Sequence, residues 1–283
     1  MPLPNALTIA GFDPSGGAGV RADAQTFAAF GYRASAAITS ITFQNDRSAT
    51  GAVHQSATTV RGQIDSLLQE FQFVCAKTGM LPTHAVVHEV ARIFRGRELP
   101  APVVDPVMLS SSGMRLMEAD ALEIFSTELL PLARLVTPNI PEAEALSGIT
   151  ITSETEMREA AKIIRASGAR AVLIKGGHLG ERKAKGSRQK AEGKDGDEMP
   201  APPGETSVFP DEAIDVLDDD GSVTVFCVEF IPGAKLRGSG CILSAAIAAG
   251  LGKGMSLLDS VGQAKDFVLK ALRNARQSQN GEG

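Results

Sequence analysis

The stretch "ALTIAGFDPSGGAGVRAD", residues 6–23, passes from an apolar run through a glycine-rich loop into a helical pattern, and its reading decides the fold. The run "ALTIAGF" has strand length, and the residues from Gly19 to Gly31 have helical spacing. The same alternation recurs downstream. "SAAITSITF" reads as a strand and "TTVRGQIDSLLQEF" as an amphipathic helix, and "FVCAKTGM", "APVVDPVML", "ARLVTPN" and "AVLIKGG" read as strands ending in polar or glycine-rich loops. Helical patterns fill the intervals 83–94, 119–132, 141–146 and 153–167. Apolar strands between helices predict an α/β fold whose mostly parallel sheet is covered on both faces, with its ligand site at the carboxyl ends of the strands. "AIDVLDDDGSVTVFCVEF" predicts a β-hairpin, and "MSLLDSVGQAKDFVLKALRNA" a closing amphipathic helix.

The 283 residues, 43% of them hydrophobic, read as a single domain over 1–283. The segment 181–206, charged, rich in glycine and proline and nearly free of apolar residues, reads as a flexible surface insertion. A net charge of −5 with no long basic tract points away from nucleic acid and towards a small-molecule substrate. No segment has the pattern of a signal peptide or a membrane span. Three cysteines without zinc spacing (Cys75, Cys227 and Cys241) point to a reducing cytoplasm. His54, His84, His88 and His178 form no metal set and read as structural.

Most of the chemistry-bearing residues fall at the predicted strand ends. The loop after the first strand is neither a P-loop nor a dinucleotide fingerprint, but its glycines let main chain close on a small ligand. Asp23, one helical turn past Gly19, reads either as a ligand for a substrate hydroxyl or as a helix-start charge. The amide of Gln44 matches an aminopyrimidine edge, and an ordinary loop glutamine is the alternative. Asp105, with Asn139 and Glu142 in an N-x-x-E spacing, offers oxygen ligands of the kind Mg²⁺ on a nucleotide phosphate takes; the alternative is helix capping. Lys175 ends its strand beside two glycines, as a phosphate-binding cation or a surface lysine. "GSGC", Gly238, Ser239, Gly240 and Cys241, opens a run of small apolar residues. Free N–H groups at such a helix start suit an anion, and the same field lowers a thiol pKa. Taken alone, the stretch is better read as a glycine turn capped by Ser239 with Cys241 buried behind it.

The order of these elements is more specific than any one of them. "ALTIAGFDPSGGAG", "KTGML", "VDPVM", "TPNIPEA", "KGGHL" and "GSGCILSAAIA" together resemble the hydroxymethylpyrimidine kinase/phosphomethylpyrimidine kinases of thiamine biosynthesis, members of the ribokinase-like superfamily, from about Leu7 to Leu272 outside the insertion. The resemblance implies a three-layer α/β/α sandwich. It also implies a homodimer that uses ATP and Mg²⁺ to phosphorylate an aminopyrimidine alcohol and then its monophosphate. Carried over, Asp23 would hold the hydroxymethyl group and Gln44 the pyrimidine edge, in a pocket lined by Gly11, Met80 and Val107. Gly238, Ser239, Gly240 and the Cys241 amide would form the anion hole, with the Cys241 thiol as general base. Lys175 would meet nucleotide phosphate, and Asp105, Asn139 and Glu142 would organise the metal. Arg237 stands where the family usually has histidine and would add positive charge beside the phosphates; Phe12 and Phe43 replace smaller residues and would narrow the pocket. Related readings are a pyridoxal kinase of the same superfamily and a pyrimidine-binding sensor without turnover.

Overall fold

A computed structural model describes residues 2–45, 47–110, 112–177, 212–229, 231 and 236–280. Among them a nine-stranded sheet has the order β3-β2-β1-β4-β5-β6-β7-β8-β9. Its strands are β1 (Asn5–Phe12), β2 (Arg33–Gln44), β3 (Ala49–His54), β4 (Phe73–Thr78), β5 (Val103–Val104), β6 (Leu135–Val136), β7 (Ala171–Lys175), β8 (Glu212–Asp219) and β9 (Ser222–Glu229). The six from β2 to β7 in that order run parallel; β3 and the β8–β9 hairpin pair antiparallel at the two edges. The hairpin turns at Asp220 and Gly221, both at positive φ, as a two-residue turn matched to strand twist requires.

Alternate strand residues face opposite layers, and each layer is a separate core. Leu7, Ile9, Val104, Val136, Val172 and Ile174 pack into one. There they meet α2 (Ala57–Leu68), α3 (His84–Arg95), α4 (Ala119–Ile124), α5 (Ile140–Ser147) and α6 (Glu154–Ala166). Ala6, Val103, Leu135, Ala171 and Leu173 pack into the other, against α1 (Gly19–Ala29), α7 (Ser239–Gly252) and α8 (Leu257–Asn280). Helix α7 is apolar on every side because it is enclosed on every side: Leu243 through Gly250 are all buried. The three-layer α/β/α sandwich of the ribokinase-like fold is thus present, with β1 as the point from which the strand order runs in both directions.

The predicted elements stand within a few residues of their expected positions, with three exceptions. β3 carries Gly51 and lies at the sheet edge with little burial, so it lacks the apolar run by which the other strands are recognised. The helix expected over 119–132 is α4 followed by a π-helical turn at Phe125–Leu129 and a 3₁₀ turn at Leu130–Leu132, where Pro131 has no N–H to continue an α-helix. The strands expected in "APVVDPVML" and "ARLVTPN" are only two residues each. The insertion 181–206 and His178 lie outside the described residues.

Candidate active site

Main-chain bonds beyond the regular ladder bring the carboxyl ends of the central strands level. Gly79 N–H donates to Ile9 O, Asp105 N–H to Thr78 O, Thr137 N–H to Val104 O and Lys175 N–H to Pro138 O, each at 2.9 Å. Asn139 bridges to Lys175. The ends of β1, β4, β5, β6 and β7 therefore present their side chains side by side at the place where an open α/β sheet holds ligands.

Two glycine loops meet there. Gly11 leaves no room for a side chain against Met80, whose sulfur lies 2.9 Å from where a Cβ would be. Gly238 is left-handed (φ +68°), and a Cβ on it would come within 2.2 Å of Gly17 O. The loop before α7 thus rests on the loop before α1. The N–H groups of Gly240 and Cys241 in the first turn of α7 have no partner among the described residues. A Cβ on Gly240 would stand 3.1 Å from Lys175 Nζ, so this donor-lined helix start sits directly over the lysine.

Lys175 Nζ donates to Asp105 Oδ1 at 3.2 Å. Burial opposes the charge on both groups, and each overcomes it through the other: Asp105, also near Lys77, is held below the usual carboxylate range and Lys175 above the usual amine range. Glu142, 6% exposed, is raised to about 7 by burial, with Lys175 pulling it down and Asp105 pushing it up. Asn139 and Glu142 also form a capping box on α5: Glu142 N–H donates to Asn139 Oδ1 at 3.0 Å and Asn139 N–H to Glu142 Oε2 at 2.8 Å. The Asn139 side-chain oxygen serves as this cap, the alternative the sequence left open, and the box fixes where Glu142 points. Asp105 and Glu142 are hard oxygen donors of the type magnesium takes together with phosphates and water. Among the described residues no group of three or more His, Cys, Asp or Glu side chains is placed to hold a metal ion.

Three expectations are corrected. Cys241 does not gain a lowered pKa in the free protein: burial pushes its thiol up to about 12, with Asp105 and Asp23 adding to the rise while Lys77 opposes it, and the thiol donates its hydrogen to Asp105. Asp23 does not face the pocket as an open ligand. It is fully buried, accepting from Thr8 Oγ1 at 2.6 Å and from Lys77 Nζ at 3.0 and 2.9 Å. Arg237 is engaged by Asp13, Ser15 and the main chain of Asn45, so its guanidinium is committed to neighbouring loops. Val107 N–H donates to Asp105 O at 2.9 Å just past β5, and the Gln44 side chain, at the end of β2, has no hydrogen-bond partner among the described residues. Phe43 is exposed and packs over Gly51.

Lys77 is the residue the sequence reading missed. Fully buried on β4, it keeps its ammonium charged against the cost of burial through Asp23 and, further off, Asp105. A lysine inside the otherwise apolar strand "FVCAKTGM" was the available signal, because a charge at a buried strand position needs a partner. Two open surface hollows of about 460 and 370 Å³ lie away from these groups, one lined by Pro2, Leu3, Asn5, Arg33 and Phe71 and the other by Phe30, Lys253 and Phe267 among others. Neither adjoins the strand ends where the charges converge.

A ribokinase-like sheet with a donor-lined helix start, a lysine beneath it and two carboxylates defines a small-molecule phosphotransferase. Residues 13–283 match the phosphomethylpyrimidine kinase family, and the chain belongs to that family. It is 38% identical to a hydroxymethylpyrimidine/phosphomethylpyrimidine kinase of Rhizobium meliloti over 98% of this chain and 94% of the relative. Among solved structures it is similar to the phosphomethylpyrimidine kinase of Clostridium difficile 630 (31% identity, TM-score 0.74, covering 95% of this chain and 99% of that one). It is also similar to the pyridoxal kinase of Staphylococcus aureus in complex with AMP-PCP and pyridoxal (28% identity, TM-score 0.79, covering 97% and 89%).

Proposed function

We propose that the chain, as a single catalytic domain, transfers the γ-phosphoryl group of ATP to the hydroxymethyl oxygen of 4-amino-5-hydroxymethyl-2-methylpyrimidine and then to the resulting monophosphate, supplying the diphosphate for thiamine biosynthesis. The observation that carries this reading is the meeting of Lys175, Asp105, Glu142 and Cys241 with the start of α7, next to Gly11 and Met80. Gln44 reads the pyrimidine edge, in a pocket that Gly11, Met80 and Val107 line. Gly238, Ser239, Gly240 and the Cys241 amide receive the transferred phosphoryl oxygens, and Lys175 the nucleotide phosphates. Asp105 and Glu142 hold Mg²⁺, which supplies charge neutralisation on those phosphates when bound. Cys241 starts as a thiol, so it takes the acceptor's proton only once the bound substrates have shifted the balance towards its thiolate.

The protein works in the cytoplasm as a homodimer. The support for a dimer is an apolar stripe on the β2–β3 edge, where Ile41, Phe43 and Val53 are exposed and Ile41 pairs with Val53 across the strands. No helix among the described residues is long and apolar enough to cross a membrane. The deciding assay offers purified protein MgATP with hydroxymethylpyrimidine, its monophosphate and pyridoxine in parallel, with products resolved by mass. Phosphorylation of both pyrimidines is expected; turnover of pyridoxine alone, or of none, overturns the proposal.

A further inference from the structure

The two loops that meet at the site are fastened by one side chain. From the loop leading into α7, Arg237 Nη2 donates to Asp13 Oδ2 at 3.0 Å and Nη1 to Ser15 Oγ at 3.2 Å, and Nη1 also reaches the main-chain oxygen of Asn45. Asp13, 1% exposed, in turn shapes the first loop: its Oδ1 accepts from Ser15 N–H at 2.9 Å and from Ser15 Oγ at 2.7 Å, and its main-chain oxygen accepts from Gly16 N–H at 3.0 Å. Arg237 therefore ties together the loop after β1, the turn after β2 and the start of α7. The fit at the crossing is close, since a Cβ on Gly17 would lie 3.3 Å from Arg237 Cβ. An arginine suits this post because its planar fork holds several acceptors in one geometry, which a lysine ammonium does not.

We infer that Arg237 is a positioning residue, a latch that fixes the acceptor loop (13–19) against the anion-binding turn (238–241), so that occupation of either side favours occupation of the other. In the reading proposed above, the acceptor alcohol sits under the first loop and the transferred phosphate at the second. A link between them makes the two substrates bind cooperatively, and by linkage the coupling is the same in both directions.

The test has two arms. Amide hydrogen exchange on the unliganded protein needs no assumption about substrate. Arg237→Met should raise exchange at the hydrogen-bonded amides of Ser15, Gly16, Ser239 and Ile242 by tenfold or more while β4 and α8 stay protected, and Arg237→Lys should fall between. Asp13→Asn should act on the same amides and add little to Arg237→Met. In the second arm, calorimetry measures hydroxymethylpyrimidine affinity with and without the magnesium complex of AMP-PCP. The wild type should bind the pyrimidine at least fivefold tighter with nucleotide present, and Arg237→Met should bring that ratio close to one. Unchanged exchange in both loops, or an unchanged ratio in a folded Arg237→Met protein, overturns the latch. If the wild type binds neither ligand, the substrate assignment fails while the exchange arm still decides whether the latch exists.

Discussion

Lys77→Met should be among the most damaging single substitutions in this chain, although Lys77 has no assigned part in the chemistry. Lys77 and Asp23 are both fully buried, and the lysine reaches both carboxylate oxygens. Removing the ammonium leaves Asp23 with only the Thr8 hydroxyl, inside a low-dielectric layer between β1, β4 and α1. Breaking such a buried pair from one side costs about 3–5 kcal/mol, against a total stability of about 5–15 kcal/mol for a typical domain. With a urea slope of about 3 kcal/mol per molar, that is a fall of about 1 M or more in the unfolding midpoint. Asp23→Asn should cost a similar amount, but the double variant Asp23→Asn/Lys77→Met should be more stable than the sum of the two predicts, by about 2 kcal/mol or more, because no buried charge is then left alone. The pH dependence is defined as well. The Lys77 pKa is raised above its unfolded value, so its contribution is complete below about pH 10.4 and is lost only as the pH climbs through the folded value. In the Lys77→Met variant the titrating group is Asp23, whose carboxyl burial already holds above the usual range and which loses the ammonium that opposes this, so the penalty should grow from pH 6 to pH 9. Urea unfolding of the four proteins forms the cycle, and additivity within about 0.5 kcal/mol would refute the buried-pair argument.

Four further outcomes follow from the site. Cys241→Ala should fold and bind MgATP yet lose turnover by about 10²–10⁴-fold, the range of a positioned proton acceptor; wild-type-like turnover would remove the thiol from the chemistry. With the thiol raised to about 12, alkylation of Cys241 by iodoacetamide, followed by peptide mass, should keep accelerating beyond pH 10 in the free protein, and a plateau near neutral pH would contradict the protonated state. Gly240→Ala sets a methyl group 3.1 Å from Lys175 Nζ and should reduce turnover by about 10²-fold through a displaced cation, with the unfolding midpoint little changed. Glu142 is raised to about 7, above its unfolded value, so stability is lost as the pH rises from about 4.3 towards 7; Glu142→Gln should flatten that part of the curve when unfolding midpoints are compared at pH 5 and pH 8.

The layered fold was legible because it rests on periodicities that burial enforces. Val103 and Val104, Leu135 and Val136, and Ala171 to Ile174 face alternate cores, so both faces of the sheet demand apolar residues and the strands read as continuous runs. The same enclosure made α7 visible as small apolar residues following "GSGC". Motif order also located the site, since Asp105, Glu142, Lys175 and Cys241 do converge at the strand ends. What the linear pattern could not carry was which partner satisfies each polar group.

Asp23, Asn139 and Arg237 each look like ligands in isolation, and each is bound to another residue of the chain: Lys77 from a different strand, Glu142 in a local cap, and Asp13 more than two hundred positions away. The Cys241 thiol shows the same effect in energy. A helix start favours the thiolate, but burial together with Asp105 and Asp23 outweighs that field and the nearby Lys77 charge, and holds the proton in place. A helix-end field acts through one or two main-chain donors, whereas desolvation acts on the whole charge, so the second prevails until bound ligands change the balance. The free site therefore holds Cys241 as a thiol, and in the function proposed above proton removal from the acceptor is coupled to the arrival of both substrates.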